Sequence, residues 1–238
     1  MRNPILIFSA CCLFQSTLFG QQTLDSSRHR VGFKPFLAPT VLLVGGLATQ
    51  GRFSRQVQNQ ILKRFGIVET KADDFLQFAP TVVMLGLGTA GVRGRHELKD
   101  QLVLTILSHG AAQAITRTLK YTVAYPRPDG DGFESFPSGH TTTAFTGAAL
   151  LAREYNGRSV WFGIGGYGVA TTVGALRVLQ NRHWLADVLF GAGVGIGATQ
   201  GVYAIYPWLR RKVFRSRKSV FLPIYNGYSA GVYWVVVL

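Results

Sequence analysis

Six apolar stretches alternate with polar connections along this chain, at about Phe36 to Gly51, Phe75 to Gly91, Leu102 to Leu119, Thr141 to Ala152, Val160 to Leu179 and Trp184 to Leu209. Each is longer than an ordinary strand, so each predicts a helix, and together they predict an all-α bundle of about six core helices. Several fall short of the ~20 residues of a comfortable bilayer span, the first and fourth most of all. A membrane-embedded bundle is the expectation, with Phe36 to Gly51 not spanning, and a soluble secreted bundle is the alternative. The last residues change character: Ser219 to Ile224, an Asn226-Gly227 turn and the run Gly231 to Leu238 predict a β-hairpin-like tail.

Within Leu102 to Lys120 the polar residues His109, Gln113, Thr116 and Lys120 recur at steps of four, three and four, which sets them on one helical face toward protein. For His109 and Gln113 a polar stripe satisfied inside the bundle is the expected role. At the N-terminus, Arg2 precedes the apolar run Ile5 to Phe19 and Gly20-Gln21 follows it, the plan of a signal peptide or N-terminal anchor over residues 1–20. Residues 21–218 are then one helical domain and 219–238 its tail. Cys11 and Cys12 both fall in the leader, so the remainder offers no disulfide, thiol nucleophile or cysteine metal site.

Hydrophobic residues make up 47% of the chain and charged residues only 15%, below the quarter typical of soluble domains, which points toward lipid. Glycines concentrated between Gly191 and Gly201 permit close helix packing. The net charge of +14 is densest from Arg210 to Lys218, directly after an apolar segment. That placement reads as anchoring to anionic headgroups rather than as nucleic-acid binding, for which no fold signature is present.

Three polar clusters interrupt this apolar frame: Lys120-x6-Arg127-Pro128, then Pro137-Ser138-Gly139-His140, then Arg177-x5-His183-x3-Asp187. The first two flank a loop broken by Pro126, Pro128, Gly130 and Gly132, and the third spans a break near Gln180 and Asn181. Alternating helix directions bring all three to one end of the bundle. There Lys120, Arg127 and Arg177 clamp a phosphate, the arginines through two-pronged forks and the lysine as a point charge. Ser138 takes the N-cap position of the fourth core helix, the Gly139 and His140 N–H groups face the same anion, and Gly139 allows close backbone approach. His183 and Asp187, four apart on a helix, pair so that one imidazole nitrogen stays free to attack phosphorus. His140 is left to protonate the leaving alkoxide and then activate water.

The three-part pattern over residues 120–187 resembles the type 2 phosphatidic acid phosphatase and vanadium haloperoxidase superfamily. The resemblance assigns the same roles to His183, His140, Asp187, Lys120, Arg127, Ser138, Gly139 and Arg177. One position departs: members usually carry Ser before the third-cluster arginine, where this chain has Leu176, which removes one hydroxyl near the phosphate. The runs Leu119 to Val123, Arg127 to Gly130, Ser135 to Thr141 and Asn181 to Leu185 are most similar to the lipid A phosphatase branch. Arg182 is expected at a headgroup or the surface, His29 and His96 in solvated loops, and Asp129, Asp131 and Glu134 show no metal-ligand spacing, so neither metal nor other cofactor is inferred.

The expected function is thus a membrane phosphatase acting through a phosphohistidine on a lipid-linked phosphate, lipid A favoured. Undecaprenyl pyrophosphate or phosphatidic acid hydrolysis, a soluble secreted acid phosphatase and, further off, a vanadate-dependent haloperoxidase are the alternatives. Expected partners are an anionic lipid phosphate and the membrane. Lys- and Arg-rich segments opposite the clusters place the site on the periplasmic side of a bacterial inner membrane, or free in the periplasm in the soluble reading.

Overall fold

A computed structural model describes residues 34–214, 218–225 and 230–237. The leader with Cys11 and Cys12, His29 and the Asn226-Gly227 turn lie outside the described residues. Eight α-helices follow in the described chain: α1 Lys34–Ala48, α2 Arg52–Phe65, α3 Ala72–Leu76, α4 Ala79–Thr89, α5 Leu98–Val123, α6 Gly139–Tyr155, α7 Trp161–Leu179 and α8 Leu185–Leu209. A π-helical turn, Arg210–Phe214, continues α8. The tail forms the expected antiparallel hairpin, β1 Lys218–Tyr225 against β2 Ala230–Val237, in register from Lys218 opposite Val237 to Tyr225 opposite Ala230.

Two helices depart from the sequence expectation. Residues 52–65 read as a charged connection but form α2, because Val57, Ile61 and Leu62 fall on one face together with Ser54 and Gln58. The run Phe75 to Gly91 divides into α3 and α4, with Pro80 in the first turn of α4, where its missing N–H costs nothing.

The core centres on α6, most of whose residues are buried. One apolar cluster joins Met84 of α4, Leu104 of α5, Leu150, Leu151 and Tyr155 of α6, and Val202 and Tyr206 of α8. A second seals α6 to α7 through Ala144, Ala148, Ala170 and Val173. At Gly191 an added Cβ would lie 2.8 Å from the Ser138 carbonyl, and at Gly195 it would lie 2.6 Å from that of Thr142. Only glycine lets α8 cross the start of α6 this closely. α1 runs antiparallel to α8, with Pro39 over Gly197, Leu43 over Gly193 and Gly46 against Ala186 and Phe190.

Polarity is inverted relative to a water-soluble bundle. Thr116, Thr142, Thr146 and Thr199 are buried, while Val41, Val44, Val82, Ile106, Ile164 and Ile205 are exposed on five different helices. An apolar jacket of this extent suits lipid rather than water. Among the described helices, α7 and the continuous segment Leu185–Lys212 are long and apolar enough to cross a bilayer. The membrane-embedded expectation therefore holds for the fold.

Candidate active site

Clusters one, two and three meet at one end of the bundle, and the backbone shows what joins them. The Ser138 N–H donates to the Asp187 carbonyl at 3.1 Å, tying the start of α6 to the first turn of α8. The indole N–H of Trp184 donates to the Pro126 carbonyl at 2.8 Å, and Arg182 pairs with Asp129 and Asp131, each at 3.2 Å. The loop after α5 is thereby fastened to the turn before α8. Arg182 lies at the surface, as expected, and also staples this loop.

Lys120 lies in the last turn of α5, where its ammonium donates to the Glu134 carbonyl. Arg177 ends α7 and is nearly buried. Its Nη1 donates to Asp73 Oδ2 at 2.8 Å and to Gln180 Oε1 at 2.9 Å, and Gln180 Nε2 donates to Asp73 Oδ1 at 2.7 Å. Burial alone would raise the Asp73 carboxyl, but these hydrogen bonds and the guanidinium charge hold it below the usual carboxylate range. The Nε atoms of Arg127 and Arg177 are both buried with no partner in the fold. Buried charged donors require acceptors, and an anion is the kind of group that could supply them.

His183 is not on a helix, as its spacing to Asp187 suggested. It sits in the turn before α8, its N–H donating to the Arg177 carbonyl at 3.2 Å, while Asp187 is in the first turn of α8. Asp187 Oδ2 caps that helix by accepting from the Trp184 N–H at 2.9 Å and also accepts from the Ser135 hydroxyl at 2.5 Å. His183 Nδ1 faces the same oxygen at 3.5 Å, without hydrogen-bond geometry. The pairing still forms because the cap aims the carboxylate back along the chain. Burial pushes the His183 imidazole down to about 4, outweighing the Asp187 charge that opposes it. At neutral pH this ring is uncharged, the state a nitrogen nucleophile requires.

Ser138 stands at the N-cap of α6, but its hydroxyl does not cap the helix as expected. It is buried and accepts from the Thr141 hydroxyl at 2.9 Å. At Gly139 an added Cβ would meet only Lys120 Cε, at 3.9 Å, so protein packing does not demand glycine there. Beside Gly139 and Lys120 opens a cavity of about 180 Å³, lined also by Gln113, Thr116, Arg117, Tyr121 and Glu134. The α5 stripe behaves as expected: His109 Nε2 lies 3.0 Å from the Thr81 hydroxyl, and Gln113 donates to Thr143 at 2.8 Å. His96, expected in a solvated loop, is instead held by Glu154 at 2.8 Å and by the edges of Tyr203 and Tyr206 at the opposite end of the bundle.

Six supporting residues had no role assigned from the sequence. From α3, Asp73 holds Arg177, and Asp74 Oδ1 lies 2.8 Å from His140 Nε2. From α2, Gln58 donates to the Val178 carbonyl at 3.0 Å and to Asn181 Oδ1 at 2.8 Å, while Ser54 accepts from the Ala186 N–H at 3.2 Å. Ser135 and Gln180 complete the set. The α2 pair is foreshadowed by a helical face carrying polar residues where apolar ones belong; the α3 aspartates have no such signal. Ligand atoms of Asp73, Asp74 and His140 lie within 4.8 Å of one another, a spacing that can seat a cation. Both Asp73 oxygens already accept from Arg177 and Gln180, so ion pairing accounts for that aspartate.

Residues 101–211 match the sequence profile of the PAP2 superfamily. The lipid A 1-phosphatase of Porphyromonas gingivalis is 36% identical over 151 residues, which cover 63% of this chain and 33% of that protein. The chain thus spans about a third of the length of this curated relative. Two crystal structures share the fold. A transmembrane PAP2-type phosphatidylglycerolphosphate phosphatase from Bacillus subtilis aligns with a TM-score of 0.55 and 22% identity, over 76% of this chain and 99% of that one. LpxE of Aquifex aeolicus aligns with a TM-score of 0.51 and 21% identity, over 65% of this chain and 97% of that one. The profile match thus takes in a little under half of the chain, and the two crystal structures show that the helical fold is shared.

Proposed function

We propose that this protein is a membrane phosphatase that hydrolyses a lipid-linked phosphate monoester through a phosphohistidine, with a lipid A phosphate as the favoured substrate. The observation that carries the reading is a neutral, buried His183 within reach of the Lys120 and Arg177 charges, together with buried Nε donors on Arg127 and Arg177 that lack protein acceptors. Phosphoryl transfer needs positioning and charge more than covalent machinery, and Lys120, Arg127 and Arg177 supply three positive charges for the equatorial oxygens. His183 attacks phosphorus through the nitrogen turned away from Asp187, while Asp187 stabilises the charge the ring acquires. His140 protonates the departing oxygen and then deprotonates the water that cleaves the phosphohistidine.

The apolar jacket supports a lipid substrate, because a bundle so covered suits a bilayer, where lipid phosphates are at hand. The polar cavity beside Lys120 suits the leaving sugar or glycerol. The likeness to the lipid A 1-phosphatase of Porphyromonas gingivalis favours lipid A among such lipids.

Purified full-length protein in detergent should release phosphate from lipid A and from p-nitrophenyl phosphate. His183→Ala should abolish both turnover and an acid-labile phosphoenzyme. Orthovanadate should inhibit and EDTA should not, since the side chains supply the positive charge. Halide oxidation in the presence of vanadate without phosphate release would overturn the phosphatase reading, and EDTA inactivation reversed by a divalent ion would overturn the charge assignment.

A further inference from the structure

We propose that Asp74 is a positioning residue for His140, so that the site contains two carboxylate–imidazole pairs, Asp187 with His183 and Asp74 with His140. The proposal rests on the phosphatase reading for its kinetics and on geometry for the contact. Asp74 Oδ1 lies 2.8 Å from His140 Nε2 across 66 residues of sequence, and the other carboxylate near that ring, Asp73 Oδ2, is 4.0 Å away.

His140 occupies the first turn of α6 and is partly exposed, so packing alone does not fix its ring. A carboxylate accepting from Nε2–H does fix it, and leaves Nδ1 as the nitrogen available to the substrate. Asp74 is itself held in place. Its neighbour Asp73 is buried and bonded to Arg177 and Gln180, Gln180 also donates to the Thr70 carbonyl at 2.9 Å, and Gln77 donates to the Asp74 carbonyl at 2.9 Å. Asp73 anchors α3 to the end of α7, and Asp74 is presented from that anchored turn.

The proton bookkeeping closes on Nδ1. As His183 bonds to phosphorus, the bond from phosphorus to the leaving oxygen breaks with its electron pair on oxygen, and the Nδ1 proton of the His140 imidazolium passes to that oxygen. Neutral Nδ1 then takes a proton from the water that attacks the phosphohistidine, and the imidazolium is restored. Through both steps Asp74 faces a ring that alternates between neutral and charged, keeps Nε2–H engaged and prevents a ring flip.

Two measurements test this on the full-length protein in detergent. In histidine-¹⁵N-labelled protein, with His140 assigned by its loss in His140→Gln, the neutral ring should carry its proton on Nε2, and Asp74→Ala should convert it to a mixture of tautomers. An unchanged His140 signal would overturn the contact. In kinetics, Asp74→Ala should lower kcat about tenfold on dioctanoyl phosphatidic acid, whose leaving alkoxide needs a proton, with KM held within about twofold. On p-nitrophenyl phosphate, whose leaving group needs none, kcat should stay within about twofold. Asp74→Glu should restore part of the loss, and Asp74→Ala added to His140→Ala should cost nothing further. Equal loss on both substrates, full additivity with His140→Ala, or a rise in activity would overturn the positioning role, the last by marking Asp74 as an obstruction. A wild-type protein that cleaves neither substrate would refute the phosphatase reading, while the tautomer measurement would still decide the contact.

Discussion

Burial governs the chemistry of His183 more than its carboxylate partner does. A histidine pushed down to about 4 in the folded protein takes up its proton near 6.5 once unfolded. Between those values the unfolded chain binds more protons, so this residue's contribution to stability is complete above about pH 6.5 and is lost as pH falls through about 4. Thermal unfolding midpoints in detergent should therefore drop more steeply from pH 7 to pH 4 in the wild type than in His183→Gln. Parallel pH profiles would show that His183 is not held neutral by burial. The eight motif residues stand out in the sequence because phosphate chemistry demands rare combinations of Lys, Arg, His and Gly at fixed spacings. Asp73 and Asp74 do not, because an aspartate in a polar stretch looks the same whether it holds Arg177 or meets only water. The place of His183 was also misread: i,i+4 spacing suggests one helix, whereas the Asp187 cap begins a helix after His183 and still brings the pair together.

At the level of elements, the site depends on a helix that the hydrophobic pattern concealed. The apolar stretches located α1, α4 to α8 and the tail, because each buries or exposes a long apolar surface. α2 spends much of its inward face on Ser54 and Gln58, so it resembles a charged linker until its partners are known. Those partners are the turn that carries His183. Asn181 in that turn has φ 58°, a left-handed conformation that asparagine tolerates, and its side chain is held by Gln58. Gln58→Ala leaves the Val178 carbonyl and Asn181 Oδ1 buried and without this donor, at a cost of about 1–3 kcal/mol. Its thermal midpoint should fall accordingly, and kcat should drop about tenfold because misplacement of His183 weakens the attack geometry. A variant that loses stability but keeps full kcat would show that α2 is a brace for the fold and not for the nucleophile.

Among the described residues, basic side chains lie at both ends of the bundle, with Arg52, Arg55, Lys63 and Arg64 of α2 on the helix that braces the His183 turn. The candidate site lies where α5 and α7 finish and α6 and α8 begin. At the other end Arg158 donates to the Arg93 carbonyl at 2.6 Å, the Arg95 N–H to the Glu154 carbonyl at 2.9 Å, and Arg210 pairs with Asp100 at 3.3 Å. The segments around Arg93 to Lys99, Arg153 to Arg158 and Arg210 to Lys212 thus form one basic end, far apart in sequence but joined in space. Positive charge beside membrane spans is retained on the cytoplasmic side, and on that ground we propose that the site end faces the periplasm. α1, an apolar helix of 15 residues, runs antiparallel along α8, which brings its C-terminus to the site end. Sidedness has a direct test. In a background with Cys11 and Cys12 replaced, Gly130→Cys lies in the loop at the catalytic end and Asn156→Cys at the C-terminus of α6 at the basic end. An impermeant maleimide applied to intact spheroplasts should label the cysteine at 130 and spare the one at 156 until the membrane is permeabilised. The reverse pattern would turn the catalytic end toward the cytoplasm, and immediate labelling of both would remove the bundle from the membrane.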